Sequence, residues 1–130
     1  AEAVINAGVD GLALINTLLG MVIDINSMKP KLGGKTGGLS GPAIRPVAVR
    51  AIYQVHQAFP NMPIVGMGGV SNGKDAFEMI LAGASAISVG TATFGNPTAL
   101  INIKDELAQL LTERGFDNFR DAIGYAHRGI

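Results

Sequence analysis

The 130-residue chain contains no cysteine. Disulfides, thiolate metal sites and cysteine nucleophiles are therefore excluded within these residues. Charge is scarce: 15% of residues are charged, and ten Lys plus Arg balance ten Asp plus Glu to a formal net charge of zero. Without a basic surplus, neither nucleic acid nor an anionic membrane surface is an expected partner. No apolar run approaches the roughly 20 residues that span a bilayer, and no basic-then-apolar secretory leader opens the sequence, so a cytoplasmic protein is expected. The two histidines, His56 and His127, stand at no metal-ligand spacing with each other or with carboxylates, and no metal is expected. What remains is 48% hydrophobic, a composition that buries a core as a single unit.

The most informative stretch runs from Pro63 to Gly95. Two segments, Ile64–Met67 and Ala86–Val89, are apolar throughout rather than alternating, which suits parallel strands covered on both faces. The first stops at Gly68-Gly69 and the second at Gly90-Thr91. Glycine just past a strand lets backbone N–H groups approach an anion with no Cβ in the way. In an eight-stranded α/β barrel the loops after the last two strands frequently bind phosphate, so the pair reads as half of a phosphate cup. Thr91 adds a hydroxyl, and a short helix expected at Thr93–Gly95 adds a favourable dipole. Either glycine pair alone is equally explained by a tight strand-to-helix turn.

The remaining elements fall around these two. Ala1–Ala7 reads as the tail of a helix ended by Gly8, followed by an apolar strand, Gly11–Ile15. A long polar, glycine-rich connection then runs to Gly41, within which MVIDI and NSMKPKLG suggest a short hairpin with Pro30 on an edge arm. Ser40 or Gly41 caps the next helix, with Pro42 near its first position. Its apolar stripe is Ile44, Val47, Ala48, Ala51, Ile52 and Val55. A helix over Lys74–Ala82 is capped by Ser71 or Asn72 and stopped by Gly83. Asn96-Pro97 starts another, with Leu100, Ile103, Leu107, Leu110 and Leu111 on one face, and Asp117 begins a last short one. Alternating strands and helices require a parallel sheet. Three strands do not close a barrel, so the expected fold is α/β, the C-terminal portion of a (β/α)8 barrel, with residues 1–130 as one unit.

Asn16 and Thr17 follow the first strand, where a parallel sheet delivers side chains to its ligand-binding end. An asparagine offers both a donor and an acceptor, matching an amide or imide edge, although strand-end capping accounts for it as well. Thr36–Gly41, TGGLSG, is either a close-approach loop or a flexible lid. His56, beside Tyr53 and Gln57, reads as a solvated side chain rather than a ligand. Met62, Met67 and Met79 read as core filling, and Asp105, Glu106 and Glu113 as a solvated helix face.

Taken together, LINTLLGM, KTGGLSGPAIRPVA, PIVGMGGV and AGASAISVGTATF resemble the catalytic subunit of the soluble type 1B dihydroorotate dehydrogenases, over nearly the whole chain and in the family's order. The resemblance implies an FMN-containing barrel that oxidises dihydroorotate to orotate in pyrimidine synthesis. By matching positions it implies that Asn16 and Thr17 hold the pyrimidine. Gly41, Gly68, Gly69, Gly90 and Thr91 would hold FMN, with the backbone at Ile15 lining the flavin. In the family a cysteine base on a mobile loop takes the C5 proton while hydride leaves C6 for the flavin, and that cysteine, the flavin-contacting lysines and further substrate asparagines have no counterpart here. An iron–sulfur and FAD subunit passing electrons to NAD is implied as partner, and a homo-oligomer is expected. Competing expectations are a dihydropyrimidine dehydrogenase-like FMN barrel, a tRNA dihydrouridine synthase, which the neutral charge disfavours, and a non-catalytic partial barrel that binds phosphate ligands or self-associates through its open edges.

Overall fold

The computed structural model describes residues 1–129. A short helix, α1 (Glu2–Asn6), leads into strand β1 (Leu12–Leu14). The connection that follows carries β2 (Leu18–Gly20), β3 (Ile23–Asp24), β4 (Lys29–Pro30) and β5 (Gly37–Leu39). After a 3-10 turn at Pro42–Ile44 come α2 (Arg45–Ala58), β6 (Ile64–Met67), α3 (Gly73–Ala82) and β7 (Ala86–Ser88). The chain then forms α4 (Ala92–Gly95), α5 (Ala99–Glu113), α6 (Phe119–Ala122) and a 3-10 turn at Tyr125–His127.

Strands β1, β6 and β7 form a parallel sheet in that order, as the alternation of apolar runs and helices predicts. Leu12 lies beside Ile64, Leu14 beside Gly66, and Gly66 beside Ile87. This face packs against α2 and α3 in a core that includes Ala48, Ile52, Ile64, Met79 and Ile80. Gly66 is small for a reason: a Cβ there would lie 2.9 Å from Ala84 Cβ and 3.2 Å from Ile52 Cδ1.

The opposite face corrects the expectation of strands covered on both sides. Neighbours Ala13, Val65 and Ala86 are exposed, because α2 and α3, the helices that pack on the sheet, lie against the other face. It is the face that a closed barrel turns inward.

The helices follow their punctuation. Gly41 precedes the 3-10 turn with φ of 86°, and no side chain caps it, so Ser40 plays no capping part. Ala48 and Ile52 of the α2 stripe are buried, with Val47, Ala51 and Val55 half-buried. Asn72 caps α3, its Oδ1 accepting the Asp75 N–H at 3.0 Å, and Asn118 rather than Asp117 caps α6. On α5, Ile103 is buried but Leu100 is 53% exposed, contrary to its expected place in the stripe. Gly73 opens α3 against Glu106 and Leu107, so the middle of α5 runs past the start of α3. Glu106 is likewise not merely solvated: its Oε2 accepts the Gly73 N–H at 2.6 Å, satisfying a free donor at the start of α3.

The connection between β1 and α2 is more ordered than its composition suggests. It doubles back, with β2 antiparallel to β5 and β3 antiparallel to β4 at its tip. The expected hairpin is thus present, with Pro30 on its second arm. Leu19, Ile25 and Met28 of this excursion are each more than 80% exposed. Among the described residues no helix is long and apolar enough to cross a membrane.

His56 departs from the solvated reading. It is half-buried, and its Nδ1 has no hydrogen-bond partner among the described residues. His127 stacks on Tyr53 with ring centroids 3.9 Å apart and donates from Nε2 to the Ala82 carbonyl at 3.0 Å, closing the C-terminal turn onto α3. Burial, and then the neighbouring His127, hold the His56 pKa below its ordinary value. A histidine kept neutral in the fold contributes stability that is complete above its unfolded pKa, about 6.5. That contribution is lost as pH falls from there through the lower folded pKa. The melting temperature is therefore expected to fall between about pH 7 and pH 5, and less steeply in His56→Gln. Equal slopes in wild type and variant would remove His56 as the cause.

Candidate functional site

The carboxyl ends of β1, β6 and β7 open into a cleft of about 230 Å³. All eight residues singled out from sequence line it. Ile15, Asn16 and Thr17 come from the end of β1, Gly41 from the turn before α2, Gly68 and Gly69 from the end of β6, and Gly90 and Thr91 from the end of β7. Tertiary structure thus joins the two glycine turns to the Asn16-Thr17 pair and to the end of the TGGLSG segment, which is neither wholly loop nor lid because Gly37–Leu39 is strand β5.

The lining includes no Asp, Glu, Lys, Arg or His. Its polar character comes from hydroxyls, the Asn16 amide and backbone. The N–H groups of Gly69, Val70, Gly90 and Thr91 have no hydrogen-bond partner among the described residues, whereas the next donor, Ser71 N–H, is taken by Asp75 Oδ2 at 2.9 Å. Unpaired backbone donors from two adjacent loops, with no carboxylate to repel a ligand, are what an anion requires. The adjacent carbonyl of Gly90 is occupied, accepting from Thr93 N at 3.0 Å and Thr93 Oγ1 at 2.8 Å.

The glycines differ in why they are needed. Gly68 and Gly69 hold φ of 114° and 81°, which L side chains rarely adopt. A Cβ on Gly69 would also lie 2.6 Å from the Gly41 carbonyl oxygen and 3.1 Å from Arg45 N. Close approach of the two loops therefore already requires glycine at 69, before any ligand is considered. Gly90 is the opposite case: a Cβ there meets no atom within 4 Å.

Asn16 has a defined orientation. Its Oδ1 accepts the Thr17 N–H at 2.7 Å, and since that N–H can only donate, the oxygen must face it. Nδ2 has no partner among the described residues and remains a donor for a ligand. The strand-end capping reading of Asn16 is thus met by Oδ1, while Nδ2 is left available to donate into the cleft.

Sequence reasoning missed the hydroxyls of Ser40, Ser71 and Ser88 in the cleft. Ser88 had a signal in its alternation with Ile87, which packs against the core, so that Ser88 takes the opposite face; the structure sets it beside Met67, another residue of the cleft.

A family profile described as dihydroorotate dehydrogenase matches residues 1–111. The chain belongs to the dihydroorotate dehydrogenase family. Curated relatives named "Dihydroorotate dehydrogenase B (NAD(+)), catalytic subunit" include that of Desulforamulus reducens, 54% identical over 127 residues, and that of Desulforudis audaxviator, 52% identical over 128. Each match covers 98% of this chain and 41% of the relative, so the chain spans about two fifths of their length. Among solved structures, ligand-free DHODH from Eimeria tenella superposes with a TM-score of 0.82 at 32% identity, over 98% of this chain and 35% of that one. The three parallel βα units are accordingly a portion of the family's (β/α)8 barrel, and the open sheet face is the interior face of that barrel. The family is one that uses a flavin, and the term "catalytic subunit" in the relatives' names denotes proteins that work beside another subunit.

Proposed function

We propose that the complete protein oxidises dihydroorotate to orotate in de novo pyrimidine (UMP) synthesis, with FMN held by this chain. The observation that carries this is the neutral cleft in which eight family-matched residues converge and four backbone N–H groups are unpaired. Residues 1–130 act as one unit of the FMN-binding barrel. The N–H groups around Gly69 and Gly90-Thr91 are suited to the FMN phosphate, Gly41 and Gly68 to the approach of the nucleotide, and the Ile15 backbone to the flavin. A donor at Asn16 Nδ2 suits a carbonyl or carboxylate oxygen of the pyrimidine, with Thr17 beside it. When bound, FMN supplies the acceptor for the hydride lost by the substrate. The chain orients ring and nucleotide. It has no cysteine to take the substrate proton, so this chain alone is expected to be inactive.

The relatives' designation, which names NAD(+) and a catalytic subunit, supports electron delivery to NAD through a second subunit, which the family resemblance makes an iron–sulfur and FAD protein. The exposed apolar side chains of the β2–β5 excursion support a homo-oligomer. A cytoplasmic location fits both. Titrating the complete protein with FMN, followed by flavin fluorescence, tests the reading: saturable binding that inorganic phosphate competes away supports it, and absence of binding by the folded protein overturns it. Asn16→Ala is expected to weaken orotate binding about tenfold while leaving FMN affinity within about twofold. Loss of FMN with normal orotate affinity would reverse the assigned roles.

A further inference from the structure

We propose that Asp75 and Arg45, neither of which lines the cleft, are positioning residues that set the spacing of its two glycine loops and thereby its affinity for a phosphate-bearing ligand; this rests on the phosphate reading above. Asp75 is 5% exposed in the first turn of α3. Its two carboxylate oxygens divide their work. Oδ2 accepts the Ser71 N–H at 2.9 Å, closing the end of the Gly68–Ser71 loop. Oδ1 accepts from Arg45 Nη1, at the start of α2. The Ile44 N–H in turn donates to the Gly41 carbonyl at 3.1 Å, so the grip on Arg45 reaches the Gly41 turn. One buried carboxylate thus holds both loops, which also touch directly where Gly69 passes Gly41.

The arrangement says more than a stability role requires. A buried ion pair is weak evidence for stability, because desolvation offsets most of its attraction. Arg45 is also directed away from ligand duty: its Nη1 is on Asp75, and its Nε lies 3.1 Å from Glu78 Oε2 without hydrogen-bond alignment. With no cation in the lining, an anion in the cleft meets only uncharged donors, the backbone N–H groups of the two loops together with hydroxyls and the Asn16 amide. Hydrogen bonds from such donors weaken steeply with displacement and misalignment, so the spacing of the loops becomes the determinant of affinity.

The test uses the complete enzyme as wild type, Asp75→Asn and Arg45→Lys, each titrated with FMN and with riboflavin, which lacks the phosphate. Asp75→Asn keeps the side-chain shape but sets an amide N–H against either Arg45 or the Ser71 N–H. Expected is a Kd for FMN raised about tenfold and a Kd for riboflavin changed by less than about twofold, with the double variant no worse than Asp75→Asn. Unchanged FMN affinity in folded variants, or equal losses for FMN and riboflavin, would overturn the inference. Should Asp75→Asn fail to fold, Arg45→Lys, whose side chain is 30% exposed, is read by the same outcomes. Wild type that binds FMN no better than riboflavin would overturn the phosphate reading itself, and this inference with it.

Discussion

Gly90→Val in the complete enzyme is expected to melt within about 2 °C of wild type and to bind FMN about 100-fold more weakly. The two halves of this result have separate causes. A Cβ on Gly90 meets no protein atom within 4 Å, and the residue's φ lies outside the left-handed region, so the fold has no reason to reject a side chain. Yet Gly90 lines the cleft and carries one of its unpaired N–H groups, so a branched side chain there occupies the space a phosphate needs. Differential scanning fluorimetry together with flavin fluorescence titration reads both halves. Normal FMN affinity would remove Gly90 from the cup. Gly69→Val would also weaken FMN binding, but it is a poor probe of the phosphate. Its φ of 81° and the Gly41 carbonyl 2.6 Å from a Cβ mean that the loop is displaced before the ligand arrives.

The second large effect concerns stability. Gly73→Val is expected to destabilise the protein by about 3 kcal/mol or more, seen as a lowered denaturant midpoint. Gly73 opens α3 where it crosses α5, and a Cβ there would stand 2.7 Å from the backbone nitrogen of Leu107 and closer still to Glu106 Cβ. Backbone on both sides leaves nothing flexible to yield. The same shift pulls Gly73 N–H from Glu106 Oε2, leaving a donor unpaired at a helix start. Gly95→Ala, where a Cβ meets nothing within 4 Å, is the matched control and is expected to change stability by less than about 0.5 kcal/mol. A Gly73→Val protein as stable as this control would show that α3 and α5 separate freely.

The strands and helices were legible because their signals are local. Apolar runs ending in glycine marked β6 and β7, the four-residue spacing of Ile44, Ala48 and Ile52 marked the buried stripe leading into α2, and Gly83 stopped α3. The excursion between β1 and α2 was only half legible. Its tip carried turn residues, but the pairing of Leu18 with Leu39 spans residues too far apart for a periodic pattern to announce. Leu100 shows the converse limit: helical periodicity assigns a face, while burial depends on what packs against each position, and Leu100 is left exposed.

By itself, the sequence determined the order of elements, the parallel sheet, the glycine turns after two strands and the eight residues of the cleft, since each is written in neighbouring residues or in family motifs. Tertiary structure decided which sheet face is covered, which way the Asn16 amide points, and why Gly69 must be glycine. It alone joined Arg45 to Asp75 across 30 residues and Glu106 to Gly73 across 33. The physical reason is common to all of these. A hydrogen bond or close contact between distant residues arises from packing in three dimensions, and a single sequence records the partners without recording that they meet.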